Sequence, residues 1–148
     1  MYAPPDLPAP STERLRLTLD AKFALLTIAE RLRQQWEAHA VAVGLSVGQV
    51  RALLTLTPGE TIPMRDLAAR LDYDASNLST LVDRLERRGA VRRHADSRDR
   101  RVKALSLTSE GERLRARFWH DLVEDAGPLA PLSEADLAAL ISALSTVA

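Results

Sequence analysis

The chain of 148 residues has no cysteine. That excludes a disulfide framework, a thiolate metal site and any switch that works by thiol oxidation. It also lacks an uninterrupted apolar run of the roughly 18 residues that a membrane helix needs; the longest candidate, residues 38–50, is broken by His39, Ser46 and Gln49. The first ten residues hold four of the eight prolines and no cationic stretch leading into an apolar one, so they read as a flexible, irregular arm rather than an export signal. The expected location is the cytoplasm, with no membrane partner. Catalytic hardware is missing too. There is no phosphate-cradling glycine loop and no cluster of carboxylates, and His39, His94 and His120 are too dispersed to suggest a metal site. The expectation is a protein that is not an enzyme and carries neither metal nor cofactor.

What is present is a soluble composition, 46% hydrophobic and 27% charged, with cationic and acidic residues balanced at 20 each. The balance hides an asymmetry. Between Arg84 and Lys103 lie Arg84, Arg87, Arg88, Arg92, Arg93, Arg98, Arg100, Arg101 and Lys103 against Glu86, Asp96 and Asp99. Nine cations against three acids leave a surplus of six, so the rest of the chain sums to minus six. Such a concentration stores repulsion that a polyanion relieves, and it favours docking in one orientation.

Periodicity organises the chain into helices. Leu15, Leu19, Phe23, Leu26, Ala29 to Leu32 and Trp36 recur at three- and four-residue steps, which predicts one long helix from about Thr12 to Ala42, stopped by Gly44. Ser46 and Gln49 then form a capping box for a second helix that ends near Leu56. Met64, Leu67, Ala68 and Leu71 make a short third helix, which Asp72-Tyr73-Asp74 breaks; Asp74 can cap the fourth. In that fourth helix Leu78, Leu81, Val82 and Leu85 share a stripe, so at about 100° per residue Ser76, Thr80, Asp83, Arg84 and Arg87 face the other way. Two short helices joined by a tight turn, the second polar and cationic outside, form a helix-turn-helix. Gly89 ends the pair, and residues 91–94 and 102–107 read as strands flanking a charged tip, which makes a wing. Thr108 or Ser109 opens a fifth helix, with Glu112 able to complete a box with Ser109, and Ser133 opens a sixth. The fold class expected is mainly α with a small β-hairpin wing.

The text of this segment resembles the MarR (multiple antibiotic resistance regulator) family of winged helix-turn-helix transcription factors. The resemblance runs from Leu45 to about Leu114 and rests on Asp66-Leu67-Ala68-Ala69-Arg70-Leu71, on Leu81-Val82-Asp83-Arg84-Leu85-Glu86-Arg87-Arg88-Gly89, and above all on Asp96-Ser97-Arg98-Asp99-Arg100-Arg101 followed by Leu105-Ser106-Leu107-Thr108. Ser97 stands where the family often has Pro, and Ala90 where a larger apolar residue is common. The resemblance implies a two-fold symmetric dimer built from the terminal helices, operator binding through helix and wing, and in many members release by a small aromatic or anionic effector. The corresponding division is 1–11 as arm, 12–44 as N-terminal dimerisation helix, 45–108 as DNA-binding domain and 109–148 as C-terminal dimerisation helices.

Ser76, Asn77 and Thr80 at the exposed start of the fourth helix are short enough to approach base edges, and Arg84, further along, reaches a guanine or a phosphate. Asp99 and Arg101 pair across the wing and fix its shape, leaving Arg98 and Arg100 free for a narrow minor groove. Asp83, a carboxylate on a face meant for phosphates, is expected to orient Arg87 or Arg84. Trp36 and Trp119 are core or interface anchors before they are ligand contacts; Trp36 and His39 are nonetheless the candidates for an effector pocket, since that junction borders it in the resembling family. Gly44-Leu45-Ser46-Val47-Gly48 spells a nucleophile elbow, but Ser46 follows a helix rather than a buried strand and already serves as a cap. Asn77-Leu78-Ser79 is a glycosylation sequon without meaning in a cytoplasmic protein. The expected partners are double-stranded DNA with an inverted-repeat operator and a second copy of the chain; the competing reading is a winged helix used for protein interaction without an effector.

Overall fold

A computed structural model describes residues 12–95 and 103–147. Among these residues six helices and three short strands follow in the order α1 (Glu13–Ala42), α2 (Val47–Thr55), β1 (Ile62–Pro63), α3 (Met64–Leu71), α4 (Ala75–Arg87), β2 (Val91–Ala95), β3 (Lys103–Leu107), α5 (Ser109–Glu124) and α6 (Glu134–Ser145), with a 3₁₀ turn at Gly127–Leu129. No single helix among the described residues is long and apolar enough to cross a membrane.

The described residues from Trp36 to Asp125 form one compact unit. Its core gathers Leu53 from α2, Leu67 from α3, Leu78, Val82 and Leu85 from α4, Leu105 from β3 and Phe118 from α5, all sealed from water. The stripe read in α4 is therefore its buried face, and the opposite face is left to solvent. The boundaries follow from local chemistry. Ser46 accepts from the Gln49 amide while the Gln49 side chain accepts from Ser46 N at 2.8 Å, the reciprocal box expected at the start of α2. Asp72 takes a left-handed conformation, φ 56°, that closes α3, and Asp74 Oδ1 accepts from Asn77 N at 2.8 Å to open α4. At the start of α5, Thr108 alone is the cap, accepting from Gly111 N; Ser109 lies inside the helix, so the box with Glu112 does not form.

The wing is more than the expected hairpin. β2 and β3 pair antiparallel from Val91 opposite Leu107 to Ala95 opposite Lys103, and β1 adds a third strand on the other side of β3 with Ile62 opposite Leu105. The sheet order is β1-β3-β2. β1 is two residues long and one of them is Pro63, which cannot donate to a ladder and is tolerated because the strand is at an edge.

The second unit comprises the described residues up to Gln35 and from Ala126 on. Many of its apolar side chains are thinly covered. Leu15, Leu17, Leu25 and Leu26 of α1 and Ile141 of α6 are exposed, and α6 has no buried residue.

Candidate nucleic-acid interface

The turn at Asp72-Tyr73-Asp74 aims the first turn of α4 outward, and Ser76, Asn77, Thr80 and Arg84 are all exposed there. Two of these side chains have local duties. Asn77 Nδ2 donates to Asp74 Oδ2 at 2.5 Å, which leaves its carbonyl oxygen and second amide proton for another partner, and Thr80 Oγ1 donates to the Ser76 carbonyl at 3.2 Å. Arg84 makes no ion pair among the described residues, and Arg92 and Lys103 are likewise exposed. Arg98, Asp99, Arg100 and Arg101, the wing-tip candidates, lie outside the described residues.

Two cations of the basic segment are held by partners within the protein. Arg88 donates through Nη2 to the Val43 carbonyl at 2.7 Å and through Nη1 to the Gly44 carbonyl, closing the end of α1. Arg93 binds Glu86 and Asp83. This corrects the expectation for Asp83: its carboxylate pairs with Arg93 of β2 at 2.5 Å, and Arg87 meets only its backbone carbonyl, at 3.3 Å. Helical spacing offers only same-helix partners, and a strand ten residues away is invisible to it. His94 on β2 shares a hydrogen bond with Ser106 Oγ at 2.7 Å across the sheet.

Trp36 and His39 both touch Phe118 edge-on, at centroid distances of 5.4 and 6.4 Å, and His39 Nε2 lies 3.0 Å from Asp125 Oδ2. A separate concavity of about 660 Å³ opens between α2 and α5, lined by Leu54, Arg115, Ala116, Trp119, His120 and Val123, with neither Trp36 nor His39 in its wall. Trp119 is 55% exposed there, which removes it from the core. No group of His, Asp and Glu suited to a metal occurs among the described residues.

A capped helix pair whose second helix presents short polar and cationic side chains, followed by an antiparallel wing, defines a winged helix-turn-helix DNA-binding protein. Comparison with known proteins narrows the class. A sequence model described as MarR family matches residues 43–102. The transcriptional regulator FarR of Neisseria gonorrhoeae is 32% identical over 102 residues, covering 69% of this chain and 70% of that one. The organic hydroperoxide resistance transcriptional regulator of Bacillus subtilis is 26% identical over 138 residues, 91% of each. Other curated regulators are matched over 44% to 63% of their own length. In three dimensions the YusO protein of Bacillus subtilis superposes with a TM-score of 0.73 at 24% identity, covering 93% of this chain and 99% of that one. The chain belongs to the MarR family of winged helix-turn-helix transcriptional regulators.

Proposed function

We propose that the protein is a homodimeric repressor of the cytoplasm that binds an inverted-repeat operator in double-stranded DNA and is released by a small aromatic or anionic effector. The observation that carries the reading is the outward face of α4, where Ser76, Asn77, Thr80 and Arg84 stand together beside the wing. On this reading Ser76, Asn77 and Thr80 read base edges in the major groove, Arg84 reads a guanine or holds a phosphate, Arg98 and Arg100 enter the flanking minor groove, and Asp99 with Arg101 shapes the wing. Residues 45–108 are the DNA-binding domain. Residues 12–44 and 109–148 make the dimer, which the exposed leucines of α1 and the unburied α6 support, since water-facing apolar stripes of that extent need a partner. The effector site involves Trp36 and His39 at the edge of Phe118.

Operator half-sites should then lie about 10 base pairs apart, one helical turn. Light scattering of the full chain at micromolar concentration, together with a gel-shift titration on the inverted repeat upstream of its gene, tests the reading. A dimer that shifts the repeat and releases it on adding the effector supports it. A stable monomer, or a dimer that binds a partner protein and ignores DNA, refutes it.

A further inference from the structure

A helix that faces phosphates gains from cations and loses from carboxylates, yet α4 carries Asp83 and Glu86 within one turn of each other. Both carboxylates converge on one guanidinium. Arg93 donates through Nη1 to Glu86 Oε2 at 2.7 Å and through Nη2 to Asp83 Oδ1 at 2.5 Å, and Nη2 reaches the Ser79 carbonyl at 3.5 Å. Its backbone amide donates to Glu86 Oε1 at 3.3 Å. Among the described residues β2 is an outer strand of the sheet, so Glu86 also occupies an amide on its outer edge. The Arg93 side chain is 23% exposed and its carboxylates 51% and 39%. Pairs this open contribute little to global stability. What the arrangement does supply is geometry: a planar fork holding two carboxylates, one of which also holds the backbone beside it, fixes an angle that a single point charge does not.

We infer that Arg93 is a positioning residue for DNA recognition: held by Asp83 and Glu86, it locks the first wing strand to α4 so that helix and wing dock as one body. This rests on the reading of α4 and the wing as the DNA-contacting elements. Arg93 thereby leaves the set of cations available to phosphates, and the two acidic residues of α4 cease to be a repulsive flaw.

Charge alone and positioning predict opposite signs. Replacing Asp83 and Glu86 by Ala removes negative charge from a DNA-facing helix, which by Coulomb attraction tightens binding. Positioning requires weaker binding. The test measures operator affinity, hydroxyl-radical footprints and melting for wild type, the Asp83→Ala/Glu86→Ala double variant and Arg93→Lys, with amide exchange of the DNA-free protein. The double variant should bind about tenfold more weakly, the scale of coupling between contacting groups. It should lose protection at the flanks the wing covers and keep it at the centre. Its melting point should stay within about 5 °C of wild type, as befits open ion pairs. Arg93→Lys should behave like the double variant, and amides of β2 should exchange faster in both. Equal or tighter binding of the double variant with full flank protection overturns the inference, as does an Arg93→Lys protein indistinguishable from wild type. Exchange is read without DNA, so a wild type that bound no operator would refute the function while the coupling of β2 to α4 remained measurable.

Discussion

The Cβ that Gly111 lacks would fall 2.0 Å from the carbonyl oxygen of Ala90. The first turn of α5 is pressed against the corner that joins α4 to β2, where Thr108 N donates to that same Ala90 carbonyl at 3.1 Å and Thr108 Oγ1 donates to the Gly89 carbonyl. Alanine at 111 would gain about 1 kcal/mol of helix propensity. It would also drive a methyl into backbone that has no rotamer to yield. Gly111→Ala should therefore lose about 1–3 kcal/mol net, the scale of overpacking, in a urea titration. An unchanged or raised midpoint would show that this approach of helix to corner is not rigid.

Arg88 and Arg84 lie on the same helix end and should behave in opposite ways. Arg88→Met removes the donors to the Val43 and Gly44 carbonyls and should cost about 1 kcal/mol of stability. It should leave the salt dependence of DNA binding unchanged. Arg84→Ala should leave stability unchanged and lower the slope of log K against log salt by about 0.9 for each phosphate no longer neutralised. Melting curves and salt titrations of the two variants side by side check the division; an exchange of the two phenotypes would refute it.

The start of α6 should be acid-sensitive. Asp136 accepts from Ser133 Oγ at 2.6 Å and from Ser133 N at 3.1 Å, and these bonds hold its carboxyl below the usual carboxylate range. A depressed folded pKa means that the contribution is present above the unfolded value of about 3.9 and is lost as pH falls through the folded one. Helix α6 should fray at its first turn on acidification below about pH 4. Carboxyl NMR titration should find the Asp136 midpoint raised toward the ordinary range by Ser133→Ala, which removes the hydroxyl donor and leaves the backbone one. Glu30, lowered to about 2 by hydrogen bonds from Arg33 and Gln34, should be unaffected by that substitution. An Asp136 midpoint that does not move in Ser133→Ala would contradict the capping assignment.

Without cysteine, release from DNA cannot proceed through a thiol. Hydrogen peroxide, at doses that leave Met64 unoxidised by mass spectrometry, should not change operator affinity. Reversible loss of binding under those conditions would mean that the protein senses by an oxidation chemistry other than that of a thiol.

Much of the fold is written in short-range pattern. The Ser46–Gln49 box and the stripe Leu78, Leu81, Val82, Leu85 each depend on residues three or four apart, where helix geometry dictates the neighbours, and the end of α1 needs only Gly44 with its φ of 67°. The exposed positions of Ser76, Asn77, Thr80 and Arg84 follow from that stripe. Long-range features are not readable in this way. β1 has two residues, too few for alternation to register, and Arg93 meets Asp83 only after the chain has turned at Gly89. Gly111 carries no local signature either, because its reason lies in the carbonyl of a residue on another element.

The most direct test of base reading by α4 is a fluorescence titration of operator and scrambled duplexes at several salt concentrations with wild type, Thr80→Ala and Arg100→Ala. Thr80→Ala should lower the preference for operator over scrambled DNA by about 1–3 kcal/mol and leave the salt slope unchanged. Arg100→Ala should weaken binding to both duplexes alike and reduce the slope by about 0.9 for each phosphate that each subunit ceases to neutralise. A wild type that binds operator and scrambled DNA equally, or a Thr80→Ala protein whose specificity matches wild type, would contradict the assignment of base reading to α4.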